Sequence, residues 1–280
     1  GKEIYEIKNG KGYIIDYHND YANTLRFEGP YLNGEKNGIG KEYDSYGSLC
    51  FEGTYLNGKK IKGKEYYCSG KVRFVGEYFN DRRYGKGKEY NHNGIIIYEG
   101  EYLGDKKHGK GKDFDSKGIL IYEGEFLKGK YHGEGKEYNH NGILIFEGEY
   151  LNDKKYKGKE YNKKGKLIFE GEYLDGKKSK GKGREYNKKG KLISEGDYLN
   201  AYENTGKVKE YYYPKGNLKF EGEYLNGKKH GKCKEYYGNG NLKFEGEYLN
   251  GKKHGKCKEY NSEGKLAYEC EYGKNDSDND

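Results

Sequence analysis

The sequence contains neither Met nor Trp, only two Pro in 280 residues, and no apolar run near the roughly 20 residues of a transmembrane helix. The missing run argues against a membrane-spanning helix. Because no signal-peptide pattern opens the chain, we expect a soluble protein. The five Cys, odd in number and without C-x-x-C spacing, favour a reducing, cytoplasmic compartment. Since even position 1 is not Met, we also expect the chain to be a fragment or a processed product.

Apolar residues are also scarce, at 32% of the chain against 36% charged residues, which argues against a large compact core. This balance is typical of disordered chains, but 35 Tyr, 10 Phe and the scarcity of Pro contradict disorder. The 47 Gly lack the three-residue period of collagen. We therefore expect Gly to serve turns or close packing at fixed places.

The dominant feature is an internal repeat of the phrase aromatic-Glu-Gly-Glu-aromatic-Leu, a turn, Gly-Lys-Gly-x-Glu-Tyr, and a second turn with Gly. The central Gly recurs every 23 to 26 residues, with Cys270 in the same phase as the last copy. Its positions are Gly29, Gly53, Gly76, Gly100, Gly124, Gly148, Gly171, Gly196, Gly222 and Gly246.

Each copy predicts two antiparallel strands. Leu218, Phe220, Gly222 and Tyr224 alternate with period two, as a strand with one packed face requires. An Asn-Gly pair, typical of tight hairpin turns, follows at Asn226. One hairpin is too small to be stable alone, so neighbouring hairpins must stack. We predict an all-β fold, an elongated single-layer twisted ribbon of about eleven antiparallel hairpins.

The mid-strand Gly implies that a bulky group covers the vacant position, because Gly normally weakens a strand. We assign this role to the aromatic rings on either side of the Glu-Gly-Glu phrase. Most of these rings are expected to form the core. If the aromatic face also binds a protein partner, the predicted contact residues are Tyr102, Phe126, Tyr150 and Tyr173.

The phrase at Tyr98–Leu103 followed by Lys106–Gly111 resembles the MORN (membrane occupation and recognition nexus) repeat, over roughly residues 23 to 272. Tyr or Phe stands where Trp is common in the family, and Gly-Lys-x-Lys-Glu-Tyr-Tyr looks like the variant class of repeat. The resemblance implies β-hairpin ribbons that act in protein assembly, dimerisation and attachment near membranes or the cytoskeleton, often beside a separate catalytic domain.

Pairs of basic residues occupy one phase of the repeat and are predicted to line one long edge of the ribbon. Such an edge could hold a peripheral protein to anionic phospholipid at about 1 kcal/mol per basic residue, or it could simply keep a Tyr-rich sheet soluble. Nucleic acid is not expected as a partner. The predicted lipid-binding residues are Lys106, Lys107, Lys154, Lys155, Lys177 and Lys178.

Metal, disulfide and catalytic sites find little support. His108, His132, His230 and His254 share one phase, but equivalent residues lie two strands, roughly 10 Å, apart, too far to share zinc. The same spacing argues against a bond between Cys233 and Cys257. The five Cys show no C-x-x-C spacing and predict neither a disulfide framework nor a zinc site. Gly-Lys-Gly-Lys lacks the spacing of a phosphate loop. We expect no cofactor, no metal and no enzymatic activity.

We divide the chain into a degenerate N-terminal copy or cap (1–22), ten to eleven tandem repeats (23–272) and an acidic, disordered tail (273–280). The rhythm changes between Ser194 and Pro214, which predicts either a tolerant loop or a bend with a partner site. The leading interpretation is a protein-binding scaffold, with a homodimer through the ribbon ends as one form of assembly. A peripheral membrane module and an accessory or targeting segment of a larger enzyme remain open as alternatives.

Overall fold

The computed structural model describes residues 2–8, 10–18, 24–198 and 206–273. Its ordered elements are β-strands joined by short turns, and no helix occurs in the described ranges. Among those residues, therefore, no helix could cross a membrane. The predicted all-β, antiparallel hairpin fold is confirmed.

The chain forms two compact units, and unit 1 comprises Gly1–Gly142 with Leu151–Asp153. It is an open antiparallel sheet in which consecutive strands of more than two residues pair. Its strands are β1 (Lys2–Lys8), β2 (Lys11–Tyr17), β3 (Leu25–Leu32), β4 (Glu35–Lys36), β5 (Gly38–Tyr43), β6 (Leu49–Leu56), β7 (Lys59–Tyr66), β8 (Val72–Phe79), β9 (Arg82–Tyr90), β10 (Ile96–Leu103), β11 (Lys106–Phe114), β12 (Leu120–Leu127) and β13 (Lys130–Tyr138).

Unit 2 comprises Ile143–Tyr150 and Lys154–Asp280. Its pairing is also antiparallel and sequential, from β15 with β16 to β23 with β24. Its strands are β14 (Leu144–Leu151), β15 (Lys154–Tyr161), β16 (Leu167–Leu174), β17 (Lys177–Tyr186), β18 (Leu192–Tyr198), β19 (Gly206–Tyr211), β20 (Leu218–Leu225), β21 (Lys228–Tyr236), β22 (Leu242–Leu249), β23 (Lys252–Tyr260) and β24 (Leu266–Tyr272).

The core is a row of aromatic rings on one face of each unit. The ring before Glu-Gly is less than 2% exposed in most copies. The Tyr98 ring meets Tyr102 of its own repeat and Phe126 of the next edge to face, at centroid distances of 5.2 and 5.3 Å. Such contacts join neighbouring hairpins. The fully buried rings are Phe27, Phe51, Phe74, Tyr98, Tyr122, Phe146, Phe169, Phe220 and Phe244.

Each buried ring lies over a pair of small residues, as the mid-strand Gly predicted. Gly100 of β10 pairs with Gly111 of β11, and a Cβ added to Gly100 would lie 2.5 Å from both the Tyr98 Oη and the Gly111 Cα. Neither strand could carry a side chain here without displacing the ring or the neighbouring backbone. The Gly pair therefore creates the space that the ring fills.

The first turn of most described hairpins is tight and contains two residues with positive φ. Asn226 has φ +50° and Gly227 φ +74°, which is the mirror-image type I turn that Asn-Gly predicts. Asn33, Asn57 and Asn250 also have φ near +50° before a Gly. The predicted hairpin turns are confirmed.

Several hairpins contain a bulge that the sequence reasoning missed. In β11, Gly111 faces Gly100 while His108 faces Glu101, so two residues of β11 lie between pairs that are adjacent on β10. The same shift occurs at His132 and His230. These His residues lie within strands and are half-buried.

The expectation of no disulfide was wrong at one position. Cys257 of β23 and Cys270 of β24 face each other in register, are bonded, and have Cα atoms 5.0 Å apart. Cys233 and Cys257 lie two strands apart and are not bonded, whereas Cys257 and Cys270 lie on neighbouring strands. Cys50, Cys68 and Cys233 are free.

Some predictions fall outside the described residues, namely the tail from 274 to 280 and most of the altered turn between Tyr198 and Gly206. Within the described part of that region, β18 and β19 pair over three residue pairs. The degenerate first copy contains β1 and β2, which form an antiparallel pair. Its predicted role as a cap stays a prediction.

Candidate functional site

The aromatic face is closed over its own rings. Tyr102, Phe126, Tyr150 and Tyr173, the predicted protein contacts, are 4%, 3%, 4% and 6% exposed. The structure thus places them in the core, where each packs against the ring before Glu-Gly. Their role in partner binding stays a prediction, and burial leaves little of each side chain for a partner to touch.

An ammonium group covers many of these rings. The second residue of each basic pair turns onto the aromatic face, which places Lys107 Nζ 4.5 Å from the centre of the Tyr98 ring. Lys155 lies 4.5 Å from Phe146, and Lys178 lies 5.2 Å from Phe169. These contacts are cation–π interactions. Three of the six predicted lipid-binding lysines are therefore engaged with the core.

A carboxylate accompanies the ammonium in several of these arrangements, as Asp113 does for Lys107 and Glu160 for Lys178. In unit 2, Lys229 lies 4.2 Å from the Phe220 ring and 2.6 Å from Glu235, which also accepts a hydrogen bond from Tyr248 at 2.9 Å. Burial alone would raise the pKa of Glu235, but the Lys229 and Tyr248 contacts outweigh it and hold this pKa below its usual range. The aromatic face is thus sealed by satisfied ion pairs.

The first residue of each basic pair remains at the rim. Lys106, Lys154 and Lys177 are exposed, and Lys154 forms an ion pair with Asp175 at 3.1 Å. The predicted basic edge therefore contains two kinds of lysine, those that are exposed at the rim and those that contact the buried rings. The Lys-Lys pair that recurs in the repeats could have indicated that one lysine is exposed and the next covers a ring, because residues i and i+1 point to opposite faces of a strand.

The opposite rim of unit 2 carries a second lysine cluster in three consecutive turns. These turns contain no acidic residue. Within the part of the chain that the structure describes, none of the seven lysines lies within ion-pair distance of a carboxylate. The Lys164 ammonium donates to the Lys188 carbonyl at 2.7 Å, which links two turns. The cluster is Lys163, Lys164, Lys166, Lys188, Lys189, Lys191 and Lys215.

The face opposite the rings is open and forms a groove of about 1330 Å³ in unit 2. Eight successive strands line it, each with three consecutive residues in the order charged, small, charged. The sign of the charge changes from every strand to the next. The triplets are Lys182–Arg184, Glu195–Asp197, Lys207–Lys209, Glu221–Glu223, Lys232–Lys234, Glu245–Glu247, Lys256–Lys258 and Glu269–Glu271.

Ion pairs across neighbouring strands neutralise part of the groove, as the alternation of Glu and Lys predicted. Lys234 lies 3.5 Å from Glu245, and Lys258 lies 3.5 Å from Glu269. These contacts are long and partly exposed, so they contribute little stability. Lys207, Lys232 and Lys256 are exposed on the same face. The alternation of Glu and Lys in the sequence indicated the pairing but not the groove.

The described residues contain no group of three His, Cys, Asp or Glu side chains placed to hold a metal ion. The Nδ1 atoms of His108, His132 and His230 are shielded from solvent and have no hydrogen-bond partner among these residues. Each belongs to a bulge of a different hairpin. They are therefore repeated features of the fold, and the structure does not bring them together.

Comparison with protein-family models matched the MORN repeat at residues 74–95, 98–112, 122–143 and 220–242. It matched the MORN repeat variant at residues 204–226 and 253–274. The chain carries MORN repeats of both kinds. The resemblance drawn from Tyr98–Leu103 and Lys106–Gly111 is confirmed.

No curated protein matched these MORN repeats. One solved structure that resembles the chain is a mutant Tc holotoxin pore of Photorhabdus luminescens, with 12% sequence identity and a TM-score of 0.17. The match covers 93% of this chain and 18% of the toxin chain. A likeness this weak carries no argument about function.

Proposed function

We propose that the chain is a non-catalytic scaffold of MORN repeats that binds protein through the charged groove of unit 2. MORN repeats are known in protein-binding and membrane-binding roles. The observation that carries the proposal is the contrast between the two faces. The charged side chains of the aromatic face pair over the buried rings, whereas the groove presents two rows of charged side chains in which Lys207, Lys232 and Lys256 are exposed.

The absence of a unique chemical centre supports a binding role over catalysis. Throughout the described ranges, the Glu, Lys and Tyr side chains recur in each hairpin with similar partners, for example Tyr138 with Glu123 and Tyr236 with Glu221. A repeated arrangement does not single out one active site. The predicted homodimer through the ends of the sheet is retained as one possible form of assembly for this scaffold.

The test is affinity capture with variants that change charge inside or outside the groove. The groove variant combines Lys232→Gln with Lys256→Gln. The control combines Lys228→Gln with Lys252→Gln, exposed lysines of the same two strands, β21 and β23, outside the groove. We expect the groove variant to lose a defined set of proteins that wild type and control retain. Equal sets for all three proteins would refute the groove as the contact surface.

A second candidate function is binding to anionic phospholipid. It is favoured by the seven lysines of the cluster in unit 2, together with exposed Lys106, Lys154 and Lys177 on the other rim. Vesicles that contain phosphatidylserine should sediment the protein at low salt and release it at high salt. Equal sedimentation with neutral vesicles would count against this function.

Vesicle binding by two variants assigns the rim that is responsible. Lys163→Gln with Lys188→Gln should weaken binding if the unpaired cluster is the contact. Lys106→Gln with Lys177→Gln should weaken it if the sequence-predicted edge is the contact. Unchanged binding by both variants would contradict a role for either rim.

A further inference from the structure

The groove of unit 2 is an electrically neutral ladder. Eight basic and eight acidic side chains line it, and each strand contributes two charges of one sign. Antiparallel register keeps the charged positions aligned, with Lys207 facing Glu223 and Lys209 facing Glu221. The two walls of the groove thus carry the same sign at each strand, and both alternate in sign from strand to strand.

The length of the groove sets the length of its occupant. Eight strands spaced about 4.8 Å apart give a length of roughly 34 Å. An extended polypeptide spans that distance with about ten residues, at about 3.3 Å per residue.

The spacing of the ladder sets a sequence rule for such a chain. Strands of like charge recur every second strand, at about 9.6 Å. An extended chain advances about 3.3 Å per residue, so every third residue advances about 9.9 Å. Successive side chains of an extended segment point to opposite walls of the groove. Because both walls carry the same sign at each strand, a charged side chain meets an opposite charge on whichever wall it faces. Three periods accumulate a mismatch of only about 1 Å.

We propose that this groove binds one extended polypeptide segment of about ten residues, with an acidic side chain at every third position and a basic side chain between successive acids. Acidic residues face the basic strands β17, β19, β21 and β23. Basic residues reach the acidic strands between them. This inference rests on the proposed protein-binding function of the same groove and adds the chemistry of the partner.

The test uses two labelled twelve-residue peptides of identical composition and measures fluorescence anisotropy. One consists of four Glu-Lys-Gly triplets, and the other places all Glu in one block and all Lys in another. We expect the triplet peptide to bind at least about tenfold more tightly at low salt, with the advantage shrinking as salt rises. Equal affinities, or a preference for the block peptide, would overturn the proposal.

The groove and control variants described above test whether the triplet peptide binds in the groove. Lys232→Gln with Lys256→Gln should lower triplet affinity at least about fivefold, while Lys228→Gln with Lys252→Gln should leave it unchanged. Far-UV circular dichroism checks that both remain folded. Equal losses in both variants would overturn the proposal. If neither peptide binds but affinity capture still depends on Lys232 and Lys256, this inference fails and the proposed function stands.

Discussion

At the scale of single residues, each buried ring is confined from two sides. Below the Tyr98 ring lie Gly100 and Gly111, and above it lies the Lys107 ammonium. The Gly pair was predictable from sequence, because Gly within a strand requires something to occupy the empty space. The ammonium was missed, because the pair of lysines was interpreted as a turn instead of the start of a strand.

Adding one methyl group at the Gly pair tests this packing. Gly100→Ala should lower the free energy of unfolding by about 1 to 3 kcal/mol, because its Cβ would press on the Tyr98 ring and on backbone atoms of Gly111. Gly238→Ala is the matched control, since no atom lies within 4 Å of its added Cβ. Urea denaturation measures both. A similar small change in the two variants would contradict the packing described here.

Removing the ammonium tests the covering interaction. Lys229→Met keeps the length of the side chain but removes the charge over Phe220 and leaves the half-buried Glu235 without its closest partner. We expect a loss of about 2 kcal/mol. Lys228→Met, one residue earlier and exposed, should change stability by less than about 0.5 kcal/mol. Comparable losses would show that Lys229 makes no special contact.

At the scale of one hairpin, the turn could be predicted from local sequence, whereas the register between strands could not. The Asn-Gly turn at Asn226 was predictable, because two residues with positive φ are needed and this pair supplies them. The bulge at His230 was not, because it inserts residues without breaking the alternation on either side. The Cys257–Cys270 pair was missed because it depends on the register between consecutive strands.

The last hairpin predicts a specific response to acid. Lys253 contacts Glu259 at 2.5 Å, and Tyr268 and Tyr272 donate to the same carboxylate at 2.8 and 2.9 Å. The Lys253 hydrogen bond is the largest of the influences that lower the pKa of Glu259, from 4.5 to about 2. A carboxyl group whose pKa is lower in the folded chain than in the unfolded chain stabilises the fold at any pH above its unfolded pKa. This stabilisation is lost as pH falls from about 4.5 toward about 2.

Urea denaturation from about pH 5 to about pH 2 measures this effect. Glu259→Gln should be less stable than wild type near pH 5 and should approach it as pH falls, because its amide cannot titrate. Glu263→Gln, an exposed position in the neighbouring turn, serves as control and should follow wild type. A constant difference between Glu259→Gln and wild type across this range would contradict the assignment.

At the scale of the whole molecule, repetition decides what sequence can reveal. A phrase repeated at constant phase fixes which residues form rows, and therefore the aromatic row and the alternating Glu and Lys rows were predictable. Which row carries exposed charges was not, since this depends on which charges turn toward the rings. Tyr102 and Phe126 were selected as contacts on row membership alone, and they prove to be core residues.

The most direct test of the two-faced architecture is chemical modification of tyrosine by a water-soluble nitrating reagent, mapped by mass spectrometry. Tyr46, Tyr156 and Tyr268 are 91%, 52% and 52% exposed, whereas Tyr98 and Tyr122 are 0% exposed. We predict that the first three are modified in the folded protein and that the last two react only after denaturation. Modification of Tyr98 and Tyr122 at the rate of Tyr46 would contradict a closed aromatic face.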